Sequence, residues 1–293
     1  MSEEKVMIMK LKDIHIRDPF ILSEQGTYYL YGTRGPTCWV EQDGIDGYVS
    51  GDLENWEGPF EVFHKPEGFT EDRCYWAPEV HRYKGAYYMF ATFDSSQRNC
   101  KGTMILKADQ PLGPFLPHSR GFATPEEWNC LDGTFYLSKT GVPYMIFCHE
   151  WLDLVDGEMC YVQLSDDLSE AVSKPVRMFA ASEAEPWVRS VFMKETGDSY
   201  VTDGPFMYRK KNGELLMLWA SYGINGYAEA LARSDNGEID GTWTIDEKPL
   251  FDRDGGHGMI FTDENGKEYL VLHQPNDTPN ERPVLIECDL SSV

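Results

Sequence analysis

Along this chain, short runs of alternating apolar and polar residues recur in sets, the period expected of half-buried strands. Five sets share one internal order. Each begins with a turn-bounded opener: Asp18-Pro19-Phe20, Ala77-Pro78-Glu79-Val80, Asp132-Gly133-Thr134-Phe135, Asp203-Gly204-Pro205-Phe206 and His257-Gly258-Met259-Ile260-Phe261. About eight to ten residues later a glycine (Gly26, Gly85, Gly141, Gly213 or Gly266) leads a second, aromatic or apolar run, the spacing of a hairpin. A third run follows, beginning at Tyr48, Met104, Tyr161, Leu231 and Leu285.

Self-similarity at a period of roughly 55 to 70 residues is the signature of a radial array, since one small antiparallel sheet cannot bury both its faces alone. The pattern predicts an all-β fold, a five-bladed β-propeller with residues 1–293 forming one domain. The last set stops one strand early, while an apolar run from Val6 to Leu11 precedes the first opener. That N-terminal run is expected to complete the last blade and hide its edge. Helical periodicity is sparse, with one short turn expected from Pro125 to Asn129.

Composition narrows the function. A net charge of −23 argues against nucleic acid and anionic membrane surfaces as partners, because both require a positive footprint. Seven cysteines without Cys-x-x-Cys spacing read as reduced thiols rather than a disulfide framework or a metal pair. The N-terminal residues lack the basic-then-apolar order of a signal peptide, so a cytoplasmic location is expected.

In a propeller the first strand of each blade lies nearest the axis, so the openers converge on one mouth of the channel. Setting them in register gives a ring of Asp18, Ala77, Asp132, Asp203 and His257. Asp-Gly and Asp-Pro are also ordinary turn dipeptides, and any single one of these aspartates is explained that way. The same residue type in three of five openers is a stronger signal. Three carboxyls facing one pocket repel, so their pKa values should separate into acid and base roles.

The segments Ile16-Arg17-Asp18-Pro19-Phe20, Trp76-Ala77-Pro78-Glu79-Val80, Leu131-Asp132-Gly133-Thr134-Phe135 and Asp203-Gly204-Pro205-Phe206, in this order, resemble glycoside hydrolase family 43 over nearly the whole chain. The resemblance implies an inverting glycosidase that removes β-xylosyl or α-L-arabinofuranosyl units from an oligosaccharide. By position it implies Asp18 as general base, Asp132 as the carboxylate that raises the pKa of the acid, and Asp203 as general acid. The family usually carries Glu-Gly-Pro where this chain has Asp203-Gly204-Pro205, a side chain shorter by roughly 1.5 Å. Either the backbone stands closer, or another acid such as Glu150 serves, or activity is lost; the register favours Asp203.

The same resemblance places a histidine near an axial ion, usually calcium with water, and makes His257 the candidate metal residue; hydrogen bonding inside the channel is its plainer role. Trp76 is a candidate to stack on a sugar, Arg282 to hold a sugar hydroxyl or a pocket carboxylate, and Glu150 and His257 are further candidate substrate contacts, each weighed against a packing or surface role. Related propeller chemistry on galactosides, a glycoside phosphorylase and a non-catalytic carbohydrate-binding propeller are the alternatives. The oligomeric state stays open.

Overall fold

The computed structural model describes residues 7–98 and 100–289. Five antiparallel blades surround one axis, with inner strands Ile16–Glu24, Arg73–Tyr83, Cys130–Leu137, Asp203–Arg209 and Gly256–Thr262. The glycine-led runs form the second strands, Thr27–Arg34, Ala86–Asp94, Pro143–His149, Leu215–Gly223 and Glu268–Gln274. Glycine leads them because the hairpin turn needs a positive φ, as at Gly26 (φ 77) and Gly85 (φ 86).

Each opener is a β-bulge. Inner-strand pairing is interrupted between Arg17 and Phe20, Trp76 and Glu79, Leu131 and Thr134, Asp203 and Phe206, and Gly256 and Met259. The residue just past the last paired one takes a left-handed backbone: Asp18 (φ 53), Ala77 (φ 46), Asp132 (φ 57), Gly204 (φ 53) and His257 (φ 53). The fourth member of the ring is therefore Gly204 and not Asp203, which corrects the register read from sequence. Pro205-Phe206 matches Pro19-Phe20, so the aspartate stands one residue earlier, level with Arg17, Trp76 and Leu131.

A left-handed non-glycine residue costs about 1–3 kcal/mol and persists only where neighbours hold it. Here the amides freed by the bulges are satisfied by side chains of the adjoining blade. Ala77 donates to Thr33 Oγ1 and Asp132 to Thr92 Oγ1, both at 2.8 Å, while Asp18 donates to His273 Nδ1 at 3.2 Å. In blade five Gly258 donates to Glu229 Oε2 at 2.8 Å.

Buried clusters bridge neighbouring blades, with Phe90 and Phe147 joining blades two and three and Phe179 and Trp219 joining three and four. Leu218, Ile260 and Leu272 join four and five, and a larger cluster containing Tyr31, Phe93 and Val271 joins five, one and two. Further along the inner strands Phe20 packs edge-on to His81 (5.0 Å) and Phe206 (6.3 Å), and His81 meets Phe135 (5.6 Å). These rings floor the channel beneath the opener ring.

The N-terminal strand does not complete blade five. Met7–Lys10 pairs antiparallel with Asn55–His64, giving blade one five strands, while blade five has three among the described residues. Val6 and Leu290 to Val293 lie outside those residues. The pairing covers the exposed edge of blade one. The chain then turns through Leu11–Asp13, which packs against the last strand Arg282–Cys288. Blades one and five thus meet through side chains, including Tyr28 against Phe261 at 6.0 Å. At the expected turn, the Trp128 amide donates to Pro125 O at 3.2 Å.

Candidate active site

Above the aromatic floor lies a cavity of about 350 Å³, whose lining includes Arg17, Asp18, Trp76, Asp132, Asp203 and His257. The bulges give it two tiers. Asp18, Asp132 and His257 come from the left-handed ring, whereas Arg17, Trp76, Leu131 and Asp203 come from the residue before it and point into the same space.

Asp18 is buried and heavily partnered. Its Oδ2 accepts from Thr33 Oγ1 at 2.7 Å, and its Oδ1 lies 3.4 Å from Arg17 Nε and 3.3 Å from His257 Nδ1. Burial alone would push this carboxyl up, but the His257 and Arg17 charges outweigh it and hold Asp18 well below the usual carboxylate range. His273, which accepts the Asp18 amide, is neutral, because burial pushes it down to about 3.

Asp132 and Asp203 are shifted the other way. Burial raises Asp132 to about 7, with Asp203 and Asp18 adding repulsion, although the Gly204 amide donates to its Oδ2 at 3.0 Å. Burial likewise raises Asp203, opposed by His257 and by Tyr227, whose hydroxyl donates to Oδ2 at 2.8 Å. His257 completes the group, 3.7 Å from Asp132 Oδ2. Burial would discharge it, but Asp18, Asp132, Asp203 and Glu229 together keep the imidazole above its ordinary pKa. Three carboxyls therefore face two cations, and burial with mutual repulsion pushes Asp132 and Asp203 toward their protonated forms while Asp18 stays ionised.

Glu150 also lines the cavity, at the end of the strand Pro143–His149, in a buried ion pair with Lys101 Nζ at 2.7 Å. Burial raises its carboxyl against the pull of that lysine. Trp76 is fixed by donation from Nε1 to Cys38 O at 2.7 Å. Arg282 is not in the cavity lining: its guanidinium donates to Pro279 O and Glu281 O and meets His15. The arginine that reaches the carboxylates is Arg17, on the upper tier.

Among the described residues no three His, Cys, Asp or Glu side chains gather as a metal-binding group, and His257 Nδ1 is turned to carboxylates. This set does not fit a calcium ion ligated wholly by protein.

The family model for glycosyl hydrolases family 43 matches residues 12–288. The chain belongs to that family. Among its relatives, the extracellular exo-α-(1→5)-L-arabinofuranosidase ArbA of Cellvibrio japonicus is 26% identical over 89% of this chain and 79% of its own length. The extracellular endo-α-(1→5)-L-arabinanase 2 of Bacillus subtilis is 24% identical over 92% of this chain, which spans 59% of that protein. The crystal structure of an endo-arabinase from Bacteroides thetaiotaomicron superposes with a TM-score of 0.89 and 37% identity, covering 98% of both chains. This family 43 member is thus a glycoside hydrolase on a five-bladed propeller.

In this family 43 site, sequence reasoning missed Tyr227, His273, Lys101 and Trp39, and gave Arg17 no role beside the carboxylates. Arg17 adjoins Asp18 in sequence and was within reach of the pattern. The others come from second and third strands and from loops, where nothing local marks them.

Proposed function

We propose that this chain hydrolyses α-L-arabinofuranosyl linkages in arabino-oligosaccharides, releasing terminal units with inversion of configuration. The observation that carries the reading is the sorting of charge among the three carboxyls. Asp18, kept ionised by Arg17 and His257, suits the general base, taking a proton from the water that attacks the anomeric carbon. Asp203 suits the general acid, giving its proton to the departing glycosidic oxygen as that bond breaks. Asp132, repelled by Asp203 and close enough for Gly204 to tie the two segments together, suits the modulator that keeps the acid protonated.

The one-residue offset in blade four supports Asp203 despite its short side chain, because it sets this carboxyl on the upper tier beside Arg17 and Trp76 rather than on the ring below. Arabinofuranosyl specificity is supported by the relatives, one named an exo-α-(1→5)-L-arabinofuranosidase and another an endo-α-(1→5)-L-arabinanase. A terminal mode of attack is supported by a floored cavity at the small end of the range for ligand sites. Trp76 and Glu150 are then sugar contacts. The seven free cysteines support a reducing compartment, and with it a diet of imported oligosaccharides, although both named relatives are described as extracellular.

The experiment compares aryl α-L-arabinofuranosides, β-xylosides and galactosides, with the anomer of the first product read by NMR. Asp18→Asn should abolish turnover while the thermal transition persists. Asp203→Asn should cost roughly a hundredfold or more with an alkyl leaving group and far less with dinitrophenolate, which departs without a proton. Turnover by Asp18→Asn, or an equal loss with both leaving groups for Asp203→Asn, would remove that residue from its role.

A further inference from the structure

Trp39 is 63% exposed, yet its indole is fixed from three directions. Nε1 donates to Thr278 Oγ1 at 3.3 Å, the ring meets Trp76 edge-on with centroids 5.3 Å apart at 76°, and the Arg17 guanidinium lies 5.4 Å from the ring centroid. Thr278 is itself anchored, donating to the fully buried Glu281 at 2.5 Å. The anchor crosses the seam between blade one and blade five, so the first and last blades jointly hold this ring at the cavity wall. A large apolar face kept in water by a hydrogen-bonded support, continuous with an acidic cavity, is what a sugar needs to lay its C–H face upon.

Exposure orders the cavity from bottom to mouth. Asp18 and Asp132 are 7% exposed and Trp39 is 63% exposed, so a unit cleaved at the carboxyls lies deep and its leaving group lies outward. We infer that Trp39, set at right angles to Trp76 and held by Thr278, forms a separate subsite that stacks the leaving-group sugar of an oligosaccharide. The inference rests on the glycosidase reading above and adds to it where the second sugar binds.

The test is a ratio: kcat/KM for α-(1→5)-arabinotriose divided by that for methyl α-L-arabinofuranoside, whose leaving group is too small to reach the indole. Trp39→Ala should lower the ratio roughly fivefold to tenfold, the worth of one aromatic contact. Trp39→Phe should recover part of it, and Thr278→Val, which keeps the ring but frees it, should lower it less than Trp39→Ala. A ratio that Trp39→Ala leaves within twofold of wild type overturns the subsite while the glycosidase reading stands. Wild-type inactivity on both sugars overturns the substrate reading, and the occupant of the platform with it.

Discussion

Tyr227 donates its hydroxyl to Asp203 Oδ2 at 2.8 Å, and the same ring stacks at 20° on His273, the residue that accepts the Asp18 amide. One fully enclosed tyrosine therefore touches the supports of both carboxyls to which the proposed acid and base roles fall. Because the donated bond stabilises the ionised form of Asp203, its loss should raise the apparent pKa of the acid. Tyr227→Phe should move the alkaline limb of kcat/KM upward by about half to one pH unit, from a hydrogen bond worth about 0.5–1.5 kcal/mol. A pH profile with an unmoved alkaline limb would show that Tyr227 is packing alone.

Gly204 is the hinge of the blade-four bulge. Its φ is 53°, and a Cβ there would stand 2.7 Å from His257 Cγ and Cδ2. Gly204→Ala should therefore cost about 1–3 kcal/mol of stability from backbone strain, with the clash added to it. It should also reduce kcat, because His257 and Asp203 must move apart. Thermal melting and initial rates check both, and a variant as stable as wild type would refute the close approach.

Glu229 lies fully buried beneath His257, and burial pushes its carboxyl up to about 8. The unfolded chain ionises near about 4.3. Between these values the native state binds the extra proton, so this group's contribution is complete at low pH and is lost as pH rises through the window. Glu229→Gln keeps an acceptor for the Gly258 amide and cannot ionise. Its melting temperature should match wild type near pH 4.5 and exceed it at pH 8; curves that stay parallel from pH 4.5 to 8 would contradict the assignment.

Much of the molecule was legible because its signals are local. Alternation, turn dipeptides and the glycine before each second strand lie within a few residues of one another, and they locate the blades. The misplaced ring member was nearly legible too: aligning Pro205-Phe206 on Pro19-Phe20 puts Gly204, not Asp203, level with Asp18. In blade four the residue type that recurs in the openers and the left-handed backbone position fall one residue apart. Arg282 was chosen as a pocket arginine, whereas Arg17 reaches the carboxylates from beside the first opener.

By itself the sequence determined the number of blades, the inner position of the openers and the presence of three aspartates near one axis, since short-range periodicity and turn chemistry specify these. Tertiary structure alone decided which strand Met7–Lys10 joins and which carboxyls are pushed toward or away from their protonated forms. Those outcomes depend on contacts between distant parts of the chain, as between Asp18 and His273, 255 residues apart, and Asp132 and Gly204, 72 apart. Burial and neighbouring charge arise only when the blades close, and they set the proton inventory on which the chemistry runs.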